Sequence, residues 1–407
     1  MNLDRPNYRT RLVEDLGQVG RDRWDALVRA SIRAFAPPDT PPPASEVVGD
    51  RPDPLLPAFL RYDFLQALAT TGCVGAGTGW QPLFLTLWQG RELVAATPLY
   101  AKSHSYGEYV FDWGWADAYE RHGLRYYPKL LSAIPFTPVS SQRLLAVNEQ
   151  ARSALLDTLL DQARQSGLSS LHLLYPTASE AQALRAAGLM LRSSVQFHWH
   201  NSGHQDFESF LASLAQPKRK KIRAERRKVA QAGVSFKRLV GRAIEPQHWE
   251  FFARCYQNTY AEHHSSPYLN KAFFLRIGQT MPENLVLVLA SRDSRPIATS
   301  LLVRDATRLY GRYWGALERV DCLHFETAYY QAIEAAIELG ALTLEGGAHG
   351  EHKMARGFLP EATCSAHWLA EPAFADAVDR FLAREGNAMA GYIDELRDRS
   401  PFITKPG

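Results

Sequence analysis

Apolar positions along the chain alternate between two periods, and the switches between them outline the elements. Residues 21–33 carry Trp24, Leu27, Val28 and Ile32 at helical spacing, and 246–262 place Trp249, Phe252, Ala253 and Tyr256 on one side of a long helix. The same period predicts helices over 60–71, 151–166, 207–214, 271–280 and 323–339. A short helix is expected over 179–187 with Ser179 as its N-cap. Alternation or short apolar runs predict strands over 8–16, 82–89, 92–101, 168–175, 189–199, 234–240, 285–290, 296–303, 308–315 and 341–345, with an aromatic strand over 106–115. Helices on mostly antiparallel sheets, an α+β fold, follow from this order.

The two halves of the pattern overlay. LFLTLWQGRELVAATPL matches LVLVLASRDSRPIATSLL, and Ala96-Thr97 falls on Ala298-Thr299, a shift of 298 − 96 = 202. Trp113-Gly114 falls on Trp314-Gly315 at 201, and Tyr126-Tyr127 on Tyr329-Tyr330 at 203. Further on, GLSSLHLLYP matches GALTLEGGAH. A tandem of related domains, 1–200 and 201–407, is the expected organisation. The first carries a proline-rich insert over about 36–57, and the second opens with a basic helix at Pro217 that Gly233 stops.

Charge adds one feature to this outline. The net charge is only +3, yet eight of the eleven residues from Lys218 to Lys228 are basic. No aromatic residue interleaves that run, so a solvated helix face competes with a tRNA or phosphate surface. The cysteines Cys73, Cys255, Cys322 and Cys364 lie far apart, form no CxxC pair and imply a reducing cytoplasm. The charged start MNLDRPNYRTRLVEDL lacks a signal core, and no run approaches the roughly 18 apolar residues of a membrane span.

The densest candidate chemistry is EGGAHGEHKMARGF, residues 345–358, directly after a predicted strand. Gly346-Gly347 permit a sharp turn or a close backbone approach. If the segment turns helical, His349 and Lys353 share a face, as do His352 and Arg356. These residue types suit proton transfer and anion binding. No metal is expected, because HGEH has neither the HExxH nor the HxxEH spacing. In the first half, Tyr106, Glu108, Asp112, His122, Tyr126, Tyr127 and Lys129 mix aromatic and polar groups in a way that suits a ligand carrying sugar or peptide.

Four stretches, 104–131, 135–145, 322–334 and 345–358, carry a resemblance that covers nearly the whole chain apart from the proline-rich insert. The chain resembles the bacterial Fem-like, peptidoglycan-biosynthesis family of N-acyltransferases, built from two acyl-CoA N-acyltransferase (GNAT-like) domains. The resemblance implies transfer of an acyl or aminoacyl group to an amine of a cell-wall precursor or small metabolite. Glu345, His349 and His352 are then the candidate catalytic residues, and Lys353 and Arg356 the donor or anion ligands. His324 and Glu326 join the latter, because the helix start they occupy faces the donor in such folds. No tightly bound cofactor is expected. GALERVDCLHFE after Trp314 lacks the Q/R-x-x-G-x-G/A loop that cradles a pyrophosphate. That leaves another acyl-CoA or aminoacyl-tRNA as co-substrate, or a non-catalytic ligand-binding module on a degenerate fold.

Overall fold

Burial of the apolar stripes accounts for most of the elements. The computed structural model describes residues 8–36, 51–347 and 350–403, so most of the proline-rich insert and His349 lie outside the described residues. In chain order the first part forms β1 Arg9–Val13, α1 Arg21–Ala34, α2 Tyr62–Thr70, β2 Trp80–Pro82, β3 Phe84–Gln89, β4 Glu92–Thr97, β5 Leu99–Lys102, α3 Trp113–Arg121, β6 Lys129–Ser132, β7 Leu145–Ala146, α4 Glu149–Gln165, β8 Ser170–Leu174, α5 Ala178–Ala186 and β9 Met190–His200. Then come α6 Phe207–Ser213, α7 Gln216–Gln231, β10 Val234–Val240, α8 Pro246–Glu262, α9 Lys271–Thr280, β11 Leu285–Arg292, β12 Arg295–Arg304 and β13 Arg308–Ala316. Helix α10 Leu323–Phe325 passes through a widened π turn, Glu326–Tyr330, into α11 Gln331–Glu338. Strand β14 Thr343–Glu345, a 3-10 turn Glu351–Arg356, β15 Leu359–Leu369 and α12 Pro372–Asp398 complete the chain. The α+β class expected from the periodicity is what forms.

The chain divides into two compact units, at Ser194/Val195, Ala362/Thr363 and Ala390/Gly391. The expected boundary at residue 200 thus shifts into β9, and residues 363–390 group with the first unit rather than the second. In the first unit β1, β3, β4 and β7 form one antiparallel sheet. The C-terminal part of β15 pairs with β8, and the order continues through β6 and β5 to β2. Leucines of α4 (Leu155, Leu156, Leu159 and Leu160) cover this core. In the second unit β10 to β13 form an antiparallel meander, β14 adds in parallel to β13, and β9 pairs antiparallel with β14. Val286, Val288, Leu302, Leu309 and Leu344 pack there against Tyr330, Ile333 and Ala336 of the α10–α11 helix.

Local chemistry shifts three expected elements. The strand expected over 92–101 splits at Pro98, which has no N–H for a ladder. The N-cap of α5 is Thr177, not Ser179, and Glu180 closes a capping box with it. The aromatic strand expected over 106–115 does not form. Gly107 and Tyr109 take positive φ values of 81° and 60°, and Trp113 begins α3 instead. Of the repeat anchors, Ala96-Thr97 and Ala298-Thr299 both lie in strands, β4 and β12, whereas Trp113 opens a helix and Trp314 lies in β13.

The segment that fails to become a strand turns inward onto one lysine. Lys129, fully buried in β6, donates to Ser105 Oγ and Glu108 Oε2, both at 2.8 Å, and to Asp112. Tyr126 donates to Asp112 at 2.6 Å, and its hydroxyl lies 3.2 Å from His172 Nε2. His172 in turn meets His367 with their Nδ1 atoms 2.7 Å apart. Burial pushes the Glu108 carboxyl up to about 7 against the pull of Lys129. Burial would raise Asp112 as well, but the Lys129 ammonium holds it below the usual carboxylate range. Removing one member of such a cluster strands uncompensated charge in the interior. Lys129→Met is therefore expected to destabilise the first unit by about 3–5 kcal/mol in chemical denaturation. Adding Glu108→Gln to Lys129→Met should recover part of that loss, and a Lys129→Met variant as stable as the parent would show that the cluster is not what holds residues 105–112 in place.

Candidate active site

Strand β14 is short for a physical reason. It runs parallel to β13 only where Arg308, Leu309 and Tyr310 face Thr343, Leu344 and Glu345. A Cβ on Gly346 would sit 3.0 Å from the Phe358 ring and 3.1 Å from Lys353 Cδ, and Gly347 turns the chain with φ of 85°. Strand β13 continues to Ala316 without that neighbour. Its pairing with β12 shifts register so that Arg312 has no opposite residue, a bulge of the kind that re-aims side chains beside functional clefts.

A cleft opens where the two strands stop pairing. It is lined by Gly311, Tyr313 and Trp314 of β13, by Leu344, Glu345 and Gly346, and by His324 and Tyr329 of the α10–α11 helix, with a volume of about 100 Å³. The π turn at Glu326–Tyr330 brings Ala328 and Tyr329 to this wall. Trp314 and His324 also line an adjoining cavity of about 530 Å³, bounded by Glu262, Leu317, Arg319 and Phe325.

Glu345 is a buried carboxyl on the cleft wall. It is 3% exposed. Its Oε1 accepts from Arg308 Nη1 at 3.1 Å, and its Oε2 lies 3.9 Å from His198 Nε2. Burial pushes its carboxyl up to about 7, with Arg308 opposing the shift. A carboxylate that exchanges its proton near neutrality, on a cleft wall, has the properties of a general base.

The other expected residues of the second half separate by role. His324 lies on the cleft wall with its ring 4.9 Å from Trp314. Burial pushes it down to about 4, helped by His352, Arg356 and Lys353, so its imidazole is neutral at pH 7. The exposed His352 places Nε2 3.1 Å from the Tyr329 hydroxyl. Lys353 is buried, donates to the Gly347 carbonyl at 3.1 Å, and is pushed down to about 8 by burial. Arg356 is engaged within the fold. It forks onto Glu225 at 3.0 and 3.1 Å and lies 3.5 Å over the Phe325 ring. Glu326 is also committed elsewhere, accepting from Arg226 at 3.0 Å and Gln331 at 2.9 Å. Both are structural ties between α7 and the helix and turn that follow the cleft.

In the first half, Glu108, Asp112, Tyr126 and Lys129 converge, but in the buried cluster rather than on a recognition surface. Tyr127 reaches it through Ser105 at 2.8 Å. Tyr106 is 57% exposed against Trp113, and the exposed His122 lies against Phe374, apart from the cluster. On α7, Ile222, Glu225 and Val229 are buried while Lys220, Lys221, Arg227 and Lys228 are exposed. Arg223 pairs with Glu208 at 2.5 Å, and Arg226 with Glu334 at 2.7 Å. Residues that pattern reading misses are Arg308 and His198. A two-residue period places His198 and His200 on one face of β9, but nothing local shows that β9 lies beside β14.

A family model described as peptidoglycan biosynthesis/recognition, FemAB-like, matches residues 17–404. No curated protein matches the sequence. Among solved structures, FemX aligns with a TM-score of 0.51 at 12% identity, covering 88% of this chain and 98% of that one. A tandem GNAT protein from the clavulanic acid biosynthesis pathway aligns at 0.43 and 10% identity, covering 90% and 99%. L-PGS from Bacillus licheniformis aligns at 0.48 and 8%, covering 83% and 99%. The likeness to FemX is one of fold, and the family match spans nearly the entire sequence. The chain belongs to the FemAB-like family.

Proposed function

We propose that the protein is an N-acyltransferase that moves an acyl or aminoacyl group onto an amine, with Glu345 as general base. The observation that carries this reading is the buried Glu345 carboxyl, raised to about 7, at the point where β13 outruns β14. An amine attacking a carbonyl must give up a proton, and a positioned carboxylate of that acidity takes it near neutral pH. The neutral His324 lines the same space and can offer a hydrogen bond to a donor carbonyl or an acceptor, and Tyr329, its hydroxyl 3.1 Å from His352 Nε2, forms part of the same wall. The acceptor class favoured by the family is an amine of a cell-wall precursor. Among the described residues no helix is long and apolar enough to cross a membrane.

The donor is read from two features. The loop after β13 lacks the glycines that would wrap a pyrophosphate, and the adjoining cavity contains Trp314 and Phe325 as aromatic walls. Helix α7 presents Lys220, Lys221, Arg227 and Lys228 outward, with no ion pair to them among the described residues. An aminoacyl-tRNA, polyanionic and ending in an unpaired base, fits both better than acetyl-CoA. The discriminating assay incubates the full chain with panels of aminoacyl-tRNAs and acyl-CoAs and with UDP-muramyl peptides or diamines. Amide product from any pair supports the reading, whereas binding without product over long incubation points to a ligand-binding module.

Three outcomes follow. Glu345→Gln should lower turnover at least roughly tenfold, about 1.4 kcal/mol of barrier, and the parent's kcat/KM should rise with pH through an inflection near 7. Stability should move the other way. A carboxyl whose folded pKa is raised binds its proton more tightly folded than unfolded, so its stabilising effect is present at low pH and lost between about 4.5 and 7. Glu345→Gln should accordingly be at least as stable as the parent at pH 8 by thermal melting, which separates lost chemistry from lost fold. Finally, Lys220→Ala with Lys221→Ala should weaken tRNA binding and reduce its log–log salt slope by about 2. An unchanged slope would remove α7 from the donor surface.

A further inference from the structure

We infer that His198, His200 and Glu361 form a proton exit from Glu345 to solvent. This rests on the reading of Glu345 as the base. Strand β9 sets His198 directly opposite Glu345 and His200 opposite Thr343, so both imidazoles lie on the face of the sheet that carries the carboxylate. Glu345 Oε2 and His198 Nε2 are 3.9 Å apart, and the same nitrogen lies 3.4 Å from Gln196 Oε1, so it takes the proton from Glu345 in the tautomer that carries its own on Nδ1. The His198 and His200 rings follow at 6.5 Å between centroids, and His200 Nε2 meets Glu361 Oε1 at 2.9 Å. Side-chain exposure rises in that order, from 4% at Glu345 and 12% at His198 to 40% at His200 and 43% at Glu361. The four groups therefore lead from the interior to the surface.

The reaction needs such a path. An amine that enters as an ammonium ion brings one proton more than the products retain. As its nitrogen pair forms the C–N bond, the donor's carbon–oxygen or carbon–sulfur bond breaks, and the leaving group takes one proton with the electron pair. The remaining proton, held by Glu345, must reach solvent before the next turnover, and Glu345 itself is almost wholly enclosed. A neutral imidazole accepts at one ring nitrogen and releases from the other. Burial, with Arg308, His200 and Lys353 adding to it against Glu361, keeps His198 neutral down to about 4. Arg308, Asp305 and Arg312 act on Glu345 from the β13 side. His198 does not line the cleft and is thus a positioning residue for proton traffic.

The test reads proton exchange directly and needs no substrate. In full-length protein with labelled carboxyl carbons, relaxation dispersion at pH 7 gives the rate at which Glu345 gains and loses its proton. In His198→Gln that rate should fall by at least about threefold, with the Glu345 titration midpoint still near 7, and it should then rise with added imidazole while the parent's rate does not. A fall of less than about threefold overturns the relay. His200→Gln, farther from the cleft, is expected to slow exchange in the same way and serves if His198→Gln does not fold. Glu345→Gln retaining full turnover would instead refute the assignment of the base, leaving the exchange measurement to decide the path alone.

Discussion

The cleft exists because a parallel pairing ends after three residues. Strand β14 stays beside β13 only to Glu345, then Gly346 passes under Phe358 where a Cβ would crowd the ring at 3.0 Å, and Gly347 bends the chain away. Strand β13 runs on for six more residues, from Gly311 to Ala316, held on its other side by β12. Everything proposed for the second unit depends on that mismatch in length. It creates the opening, places the last residue of β14 on its wall, and lets the helix with the π turn close the third side. A longer β14 would seal the gap with backbone hydrogen bonds and leave Glu345 in an ordinary buried sheet position.

The same mismatch explains why Glu345 is costly to keep. A carboxylate at the end of a buried strand loses hydration that a single Arg308 contact replaces only in part, so its acidity moves toward neutrality. A protein without use for the group would replace it by an apolar residue or a glutamine. A carboxyl whose ionised form weakens the fold is the trade-off expected of the base proposed above. Lys353 shows the complementary case. It is buried and its acidity is shifted, yet its ammonium is tied to the Gly347 carbonyl and braces the turn.

Much of this was legible in the sequence, and the limits have physical causes. Helices with a clear apolar stripe, such as α8 and α9, and the strand β10 fall where the period places them, because their burial is decided by their own residues. Glu345 stands out beside its double glycine for the same local reason. Residues 106–115 were misleading because their alternation of aromatic and polar groups is a strand pattern, while three polar side chains among residues 105–112 are drawn inward by Lys129, more than fifteen positions later. Arg356 is expected at an anion because a guanidinium suits phosphate or carboxylate, and Glu326 at the donor because the resembled fold turns that helix start toward it, but each has a charged partner on α7 that pattern reading does not locate. His198 and Arg308 are cross-strand neighbours of the site, and register between distant strands is not encoded in either strand alone.

The two units have used corresponding sequence differently. Ala96-Thr97 and Ala298-Thr299 occupy equivalent strands, but the next anchor diverges, since Trp314 continues β13 along the cleft and Trp113 starts a helix. Where the second unit leaves an opening, residues 105–112 of the first fold back and bury a lysine between two carboxylates. The first arrangement spends charge on holding a loop, yet it too leaves Glu108 Oε1 and Asp112 Oδ1 buried without a hydrogen-bond partner. The second leaves one carboxyl with a single strong partner and a space in front of it. A group available for proton transfer must also face a space that a substrate can enter: Glu108 shares the raised pKa but lies in the packed cluster, whereas Glu345 lines the cleft, and that is the ground on which it is the proposed base.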